Sequence, residues 1–148
     1  MKKSVFLSAA LLVLPLAAQD DVIKAGGANR DRDFTSWMKA TAAANGVLQK
    51  LETKTGKDAY EKAEALGSVY ESMIGFWRQR GAADAVKISM QGKAAALELA
   101  TAARANDATA AAAAYSRLGA TCKACHDVHR MKMADGTYLI QTAVPKLK

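Results

Sequence analysis

Four long stretches of this chain repeat apolar positions at helical spacing. The first, from about Asp31 to Lys54, carries Phe34, Trp37, Met38, Thr41, Leu48 and Leu51. The second, from about Asp58 to Arg80, carries Leu66, Val69, Tyr70, Met73, Ile74 and Trp77. Val86, Met90, Ala94, Leu97 and Thr101 mark the third, from about Ala82 to Ala105. Ala111, Ala114, Tyr115 and Leu118 mark the fourth, from about Asp107 to Lys132. Residues at i, i+3, i+4 and i+7 share one helix face, and an apolar face seeks a core. The breaks fall at helix stops and starts: Gly56, Gly81, and Asn106 or Asp107 as an N-cap. Connections this short make neighbouring helices antiparallel. The expected fold is all-α, an antiparallel up-down-up-down four-helix bundle over residues 31–132.

Alanine dominates and β-branched residues are sparse, which favours helix. The two prolines, Pro15 and Pro145, lie outside the expected bundle. Residues 19–30 read as a flexible leader, and residues 133–148 as a C-terminal extension. Within that extension Asp135-Gly136 reads as a turn and Thr137 to Ile140 as a short extended piece lying over a bundle end. No internal repeat is evident.

The N-terminus changes where the chain is expected to work. Met1-Lys2-Lys3 is a basic start, Val5 to Leu16 is an apolar run, and Ala17-Ala18 offers small residues for cleavage before Gln19. Residues 1–18 therefore read as a secretory signal peptide. The run is too short for a comfortable membrane span, and no cysteine follows the cleavage point to carry a lipid. The expected product is exported, in a bacterium to the periplasm, without a membrane anchor. A formal net charge of +7 does not imply nucleic-acid binding, because the basic residues are interleaved with acids and no basic run appears. Such a surface suits an acidic protein partner.

Cys122-Lys123-Ala124-Cys125-His126 holds both cysteines of the chain. CxxCH is the attachment signature of a c-type haem. Two thiols at this spacing add across the two vinyl groups of one porphyrin, and the next histidine offers an imidazole to the iron. A thioredoxin-like pair wants a βαβ context, and the flanking sequence is helical. A zinc site wants a second pair of ligands, and His129 alone remains. Cys122, Cys125, His126 and His129 continue the fourth apolar stripe, so all four project from one helix face. One covalently held haem c is expected inside the bundle near one end. His129 shares a helical turn with His126 and does not reach the opposite haem face. Met38, Met73 and Met90 lie at similar depths in such a bundle, so depth leaves all three open as sixth ligand.

A four-helix chain with CxxCH near its C-terminus resembles the class II c-type cytochromes, the cytochrome c′ family. The stretch Leu118 to Asp127 is similar to that family's haem-binding segment, and Arg130 also matches. Where the family usually has an aromatic residue this chain has His129. One branch of the family leaves the sixth position empty and binds nitric oxide or carbon monoxide. The other fills it with a methionine of the first helix and carries electrons. Trp37-Met38-Lys39 resembles the second branch. The resemblance thus implies Cys122 and Cys125 as covalent attachments and His126 and Met38 as axial ligands. Arg130, His129 and Trp37 are further candidates for haem contact. It also implies a homodimer through the first two helices, for which Tyr60, Tyr70 and Phe76 are candidates, equally suited to burial within one chain. The expected protein is not an enzyme but an electron carrier. Lys39, Lys123, Arg130 and Lys132 would steer a redox partner, or simply be solvated; an open-site gas binder is the alternative.

Overall fold

A computed structural model describes residues 16–142, with side chains from residue 31 onward. The signal-peptide reading of residues 1–18 falls largely outside the described residues, as does Pro145. The chain forms α1 (Leu16–Lys50), α2 (Gly56–Gln79), α3 (Ala83–Arg104), α4 (Ala108–His129), β1 (Arg130–Lys132) and β2 (Tyr138–Ile140). The bundle is all-α apart from this small hairpin. α1 runs back to Leu16, through the stretch read as a leader, and stops at Lys50, earlier than the expected Lys54.

Local chemistry accounts for the breaks. Gly81 follows α2 at φ +67°, a left-handed conformation that only glycine adopts freely. Asn106 takes φ +55° after α3, which asparagine tolerates better than most residues. Asp107 then caps α4, its carboxylate accepting a 2.9 Å hydrogen bond from the Ala110 amide. Cross-helix partners show that consecutive helices reverse direction. Asp31, midway along α1, pairs with Arg80 just after α2. Arg104 at the end of α3 lies over the Tyr60 ring near the start of α2. Asp84 at the start of α3 faces His129 at the end of α4.

α2 packs on α3 and α3 on α4, while α1 leans mainly on α2 and has sparse contact with α4. Small residues let the middle helices approach closely. The buried face of α3 is Ala85, Ser89, Gly92, Ala95, Ala96, Leu99, Ala100, Ala102 and Ala103. This corrects the third stripe: Met90 and Leu97 point outward, at 53% and 42% exposure. An alanine-rich helix has little size contrast between its faces, so periodicity alone selected the wrong one. The other stripes hold. Leu48, Leu66, Met73, Trp77 and Leu118 are all core. Phe34, Trp37, Phe76 and Trp77 form an aromatic cluster between α1 and α2, with Phe34 and Phe76 centroids 4.4 Å apart. Tyr70 and Phe76 are buried within the chain, which removes them as candidates for a dimer contact.

α4 ends at His129 instead of reaching Lys132. Arg130–Lys132 is drawn into strand by the tail, pairing antiparallel with the register Arg130↔Ile140, Met131↔Leu139 and Lys132↔Tyr138. The last carbonyls of a helix have no partner within it. Gln141 supplies two: its amide N–H donates to His129 O at 3.0 Å and its side chain to Val128 O at 2.8 Å.

Candidate functional site

Because α1 stands off α4, a cavity of about 600 Å³ opens between them, within the roughly 300–1,000 Å³ usual for cofactor-sized sites. α4 contributes Cys122, Cys125, His126 and His129. α1 contributes Phe34, Met38, Lys39, Thr41 and Asn45, and α2 contributes Tyr70, Met73 and Trp77. Ile88 and Ser89 of α3 form the floor, and Arg130, Tyr138, Leu139 and Ile140 complete the rim. Alanines do not make this room. Of the lining residues only Ala42 is alanine, and the space comes from the separation of α1 and α4.

The expected attachment residues are therefore on one wall, as their helical spacing requires. Both cysteines are free and half-buried. Burial, then the neighbouring Cys122 and Asp84, pushes the Cys125 thiol up to about 11, so its sulfur keeps its proton at neutral pH. His126 stands at the cavity edge. Burial first, then the Arg130 charge, lowers its pKa against the opposing pull of Asp127. That favours neutral imidazole, the form that binds iron.

Met38 and Met73 reach the cavity, Met38 half-buried and Met73 packed into the core. Met90 does not line it and lies on the outer surface. Trp37 does not line it either; its ring is committed to Phe34 and Phe76. His129 is 3% exposed, stacked on Trp77 with centroids 4.8 Å apart. Its Nδ1–H donates to Gln141 O at 2.9 Å. Arg130 is on the rim with its guanidinium 3.6 Å above the Tyr138 ring. Lys39 is also on the rim, whereas Lys123 is paired with Asp127.

Tyr70 is legible in sequence as a core residue or a dimer contact, yet its hydroxyl lies 3.1 Å from Thr121 Oγ1 and 3.4 Å from Cys122 Sγ. Burial, then Cys122, raises its pKa well above the usual phenol value, so it remains an O–H. The signal for it is the glycine opposite. A Cβ at Gly92 would come within 2.3 Å of the Tyr70 ring. That relation joins two helices and is invisible in either one alone.

The residues present fit a covalently held haem. Among the described residues, the three buried side-chain polar atoms without a hydrogen-bond partner are Thr41 Oγ1, Trp77 Nε1 and His129 Nε2, all from residues lining this cavity. His129 Nε2 lies 3.4 Å from Asp84 Oδ2, in ion-pair range but without hydrogen-bond alignment. Unpaired buried polar atoms cost about 1–3 kcal/mol each, and they gather where a group with polar atoms of its own would sit. With thiols and imidazole on one wall and a largely apolar interior, the fold and site define a c-type haem protein. The family described as Cytochrome C' matches residues 21–130, and the chain belongs to that family. No curated protein and no solved structure matches it significantly.

Proposed function

We propose that this chain is an exported monohaem cytochrome that carries single electrons, with His126 and Met38 as the axial ligands. The observation that carries the reading is the shared cavity, with His126 on the α4 wall and Met38 on the α1 wall. Met38 is half-buried beside open space, while Met73 is tightly enclosed by the core. A thioether with freedom to move suits a ligand better than one locked in packing. The family resemblance favours the same residue.

When bound, the haem supplies one-electron chemistry at iron, and a methionine ligand favours the reduced state. Cys122 and Cys125 hold it by covalent bonds. His126 gives a neutral imidazole. Phe34, Met73, Trp77 and Ile140 keep water from the interior. Lys39 and Arg130 place positive charge at the cavity mouth, which suits a partner with an acidic docking face. No enzymatic role is proposed. Export to the periplasm follows from the signal-like N-terminus. None of the described helices is long and apolar enough to cross a membrane.

A second reading is a five-coordinate protein that binds nitric oxide or carbon monoxide. The family matched is that of cytochrome c′, one branch of which has this open site. Visible spectra of the holoprotein and of Met38→Ala, oxidised and reduced, with and without carbon monoxide, decide between them. Electron transfer through a His/Met haem predicts a low-spin spectrum with a weak far-red methionine–iron band that the substitution abolishes. A high-spin wild type that takes up carbon monoxide readily, unaltered by the substitution, would transfer the assignment to gas binding.

A further inference from the structure

The β1–β2 hairpin lies almost wholly beyond the family match, which ends at Arg130. It is nevertheless built into the site. Tyr138, Leu139 and Ile140 line the cavity, and Ile140 packs against the core. Three contacts tie the hairpin to the end of α4, all through Gln141: its amide on His129 O, its side chain on Val128 O, and its carbonyl accepting from His129 Nδ1–H. The strand pairing and the Arg130–Tyr138 stack hold the hairpin together within itself. His129 is central, because both its main-chain oxygen and its ring bind Gln141 while the ring also rests on Trp77. An aromatic hydrocarbon in its place would keep the stacking and lose the hydrogen bond to the tail.

We propose that the hairpin is a fixed wall closing the haem cavity against solvent and small solutes, and that His129 is the positioning residue that holds it there. The inference rests on the reading that the haem occupies this cavity. It requires no movement and no titration. A cover of two short strands has little core of its own. It stays seated through the side chain of His129, the Gln141 bonds and the anchoring of Ile140. A haem edge under such a wall meets fewer water molecules and fewer small solutes, and solvent exposure is one of the levers on haem potential.

The test uses full-length holoprotein with His129→Phe, His129→Asn and Gln141→Pro. The first keeps a ring on Trp77 without a donor. The second restores a donor. The third deletes the Gln141 N–H from outside the bundle, so it bears on the hairpin even if His129→Phe impairs folding. Two quantities are read: hydrogen exchange at the amides of residues 138–140, and the rate of haem reduction by ascorbate. Ascorbate reduction proceeds at the exposed haem edge, whether or not the sixth position is filled. His129→Phe and Gln141→Pro should speed exchange and accelerate reduction several-fold, with His129→Asn close to wild type. Faster exchange with unchanged reduction would overturn the wall. Unchanged exchange in His129→Phe would overturn the role of His129. Failure of the underlying haem placement shows separately, as a visible spectrum of the holoprotein that His126→Ala leaves unchanged.

Discussion

At the scale of single residues, the tightest site among the described glycines is Gly92, against the Tyr70 ring. The tyrosine ring occupies the space a side chain at Gly92 would need, with a hypothetical Cβ only 2.3 Å from the ring. This lets the hydroxyl reach Thr121 and Cys122 on α4, so a glycine on α3 sets the position of a tyrosine from α2 against the first cysteine of the CxxCH motif. Gly92→Ala should destabilise the holoprotein by about 1–3 kcal/mol, the usual cost of overpacking, measured by denaturant unfolding. In a Tyr70→Ala background the same change should cost much less, because the clash has gone. Equal costs in both backgrounds would show that the close approach is not the cause. Tyr70→Phe keeps the ring and removes the hydroxyl, and should cost about 0.5–1.5 kcal/mol.

Elements show where local signals suffice. The N-cap of α4 is visible in sequence as Asn106 or Asp107 ahead of an alanine run, and the structure has the Asp107 carboxylate on the Ala110 amide. Asp107→Ala should lower stability by about 0.5–2 kcal/mol, read from thermal unfolding. The hairpin turn carries a similar device. Asp135 accepts from both the amide and the hydroxyl of Thr137, and the side-chain bond, then the backbone bond, holds its pKa below the ordinary aspartate value of 3.8. A depressed carboxylate pKa contributes stability that is complete above the unfolded value and is lost as pH falls through the folded one. The hairpin should therefore loosen in that acidic window, seen as faster exchange at residues 138–140. Asp135→Asn should remove this pH dependence. α3 shows the opposite case. Its rows of alanine look alike from every side, and its inward face is settled only by the fit against α2 and α4.

The whole molecule is organised around the separation of α1 from α4. Three helices pack closely through small residues, and the fourth stands away over a cavity of about 600 Å³. Such a space is costly when empty, since its lining lacks dispersion partners. Replacing Cys122 and Cys125 together with alanine should therefore do more than release the haem. We expect a loss of several kcal/mol and a fall in the unfolding midpoint on the order of 10 °C. α1 should be the first helix to lose exchange protection, because its main neighbour is α2. A double variant with unchanged midpoint would mean that the cavity is not where the cofactor contributes.

The number of helices, their breaks near Gly81 and at Asn106 or Asp107, and the CxxCH motif of Cys122, Cys125 and His126 are all legible in the order of residues alone. These depend on neighbours in sequence: helical periodicity, capping chemistry, and a motif whose spacing puts three side chains on one turn of helix. The placement of Met38 beside the site is legible as well, though only through family resemblance. Tertiary structure decides the rest. It turns Met90 outward and leaves Trp37 among other aromatics. It brings Tyr70 to Cys122 and recruits the tail through His129 to close the α4 end of the bundle. Each of these depends on how a helix is rotated about its axis, or on which distant segment meets it, and a periodic pattern of similar small residues leaves both degrees of freedom open until the helices pack.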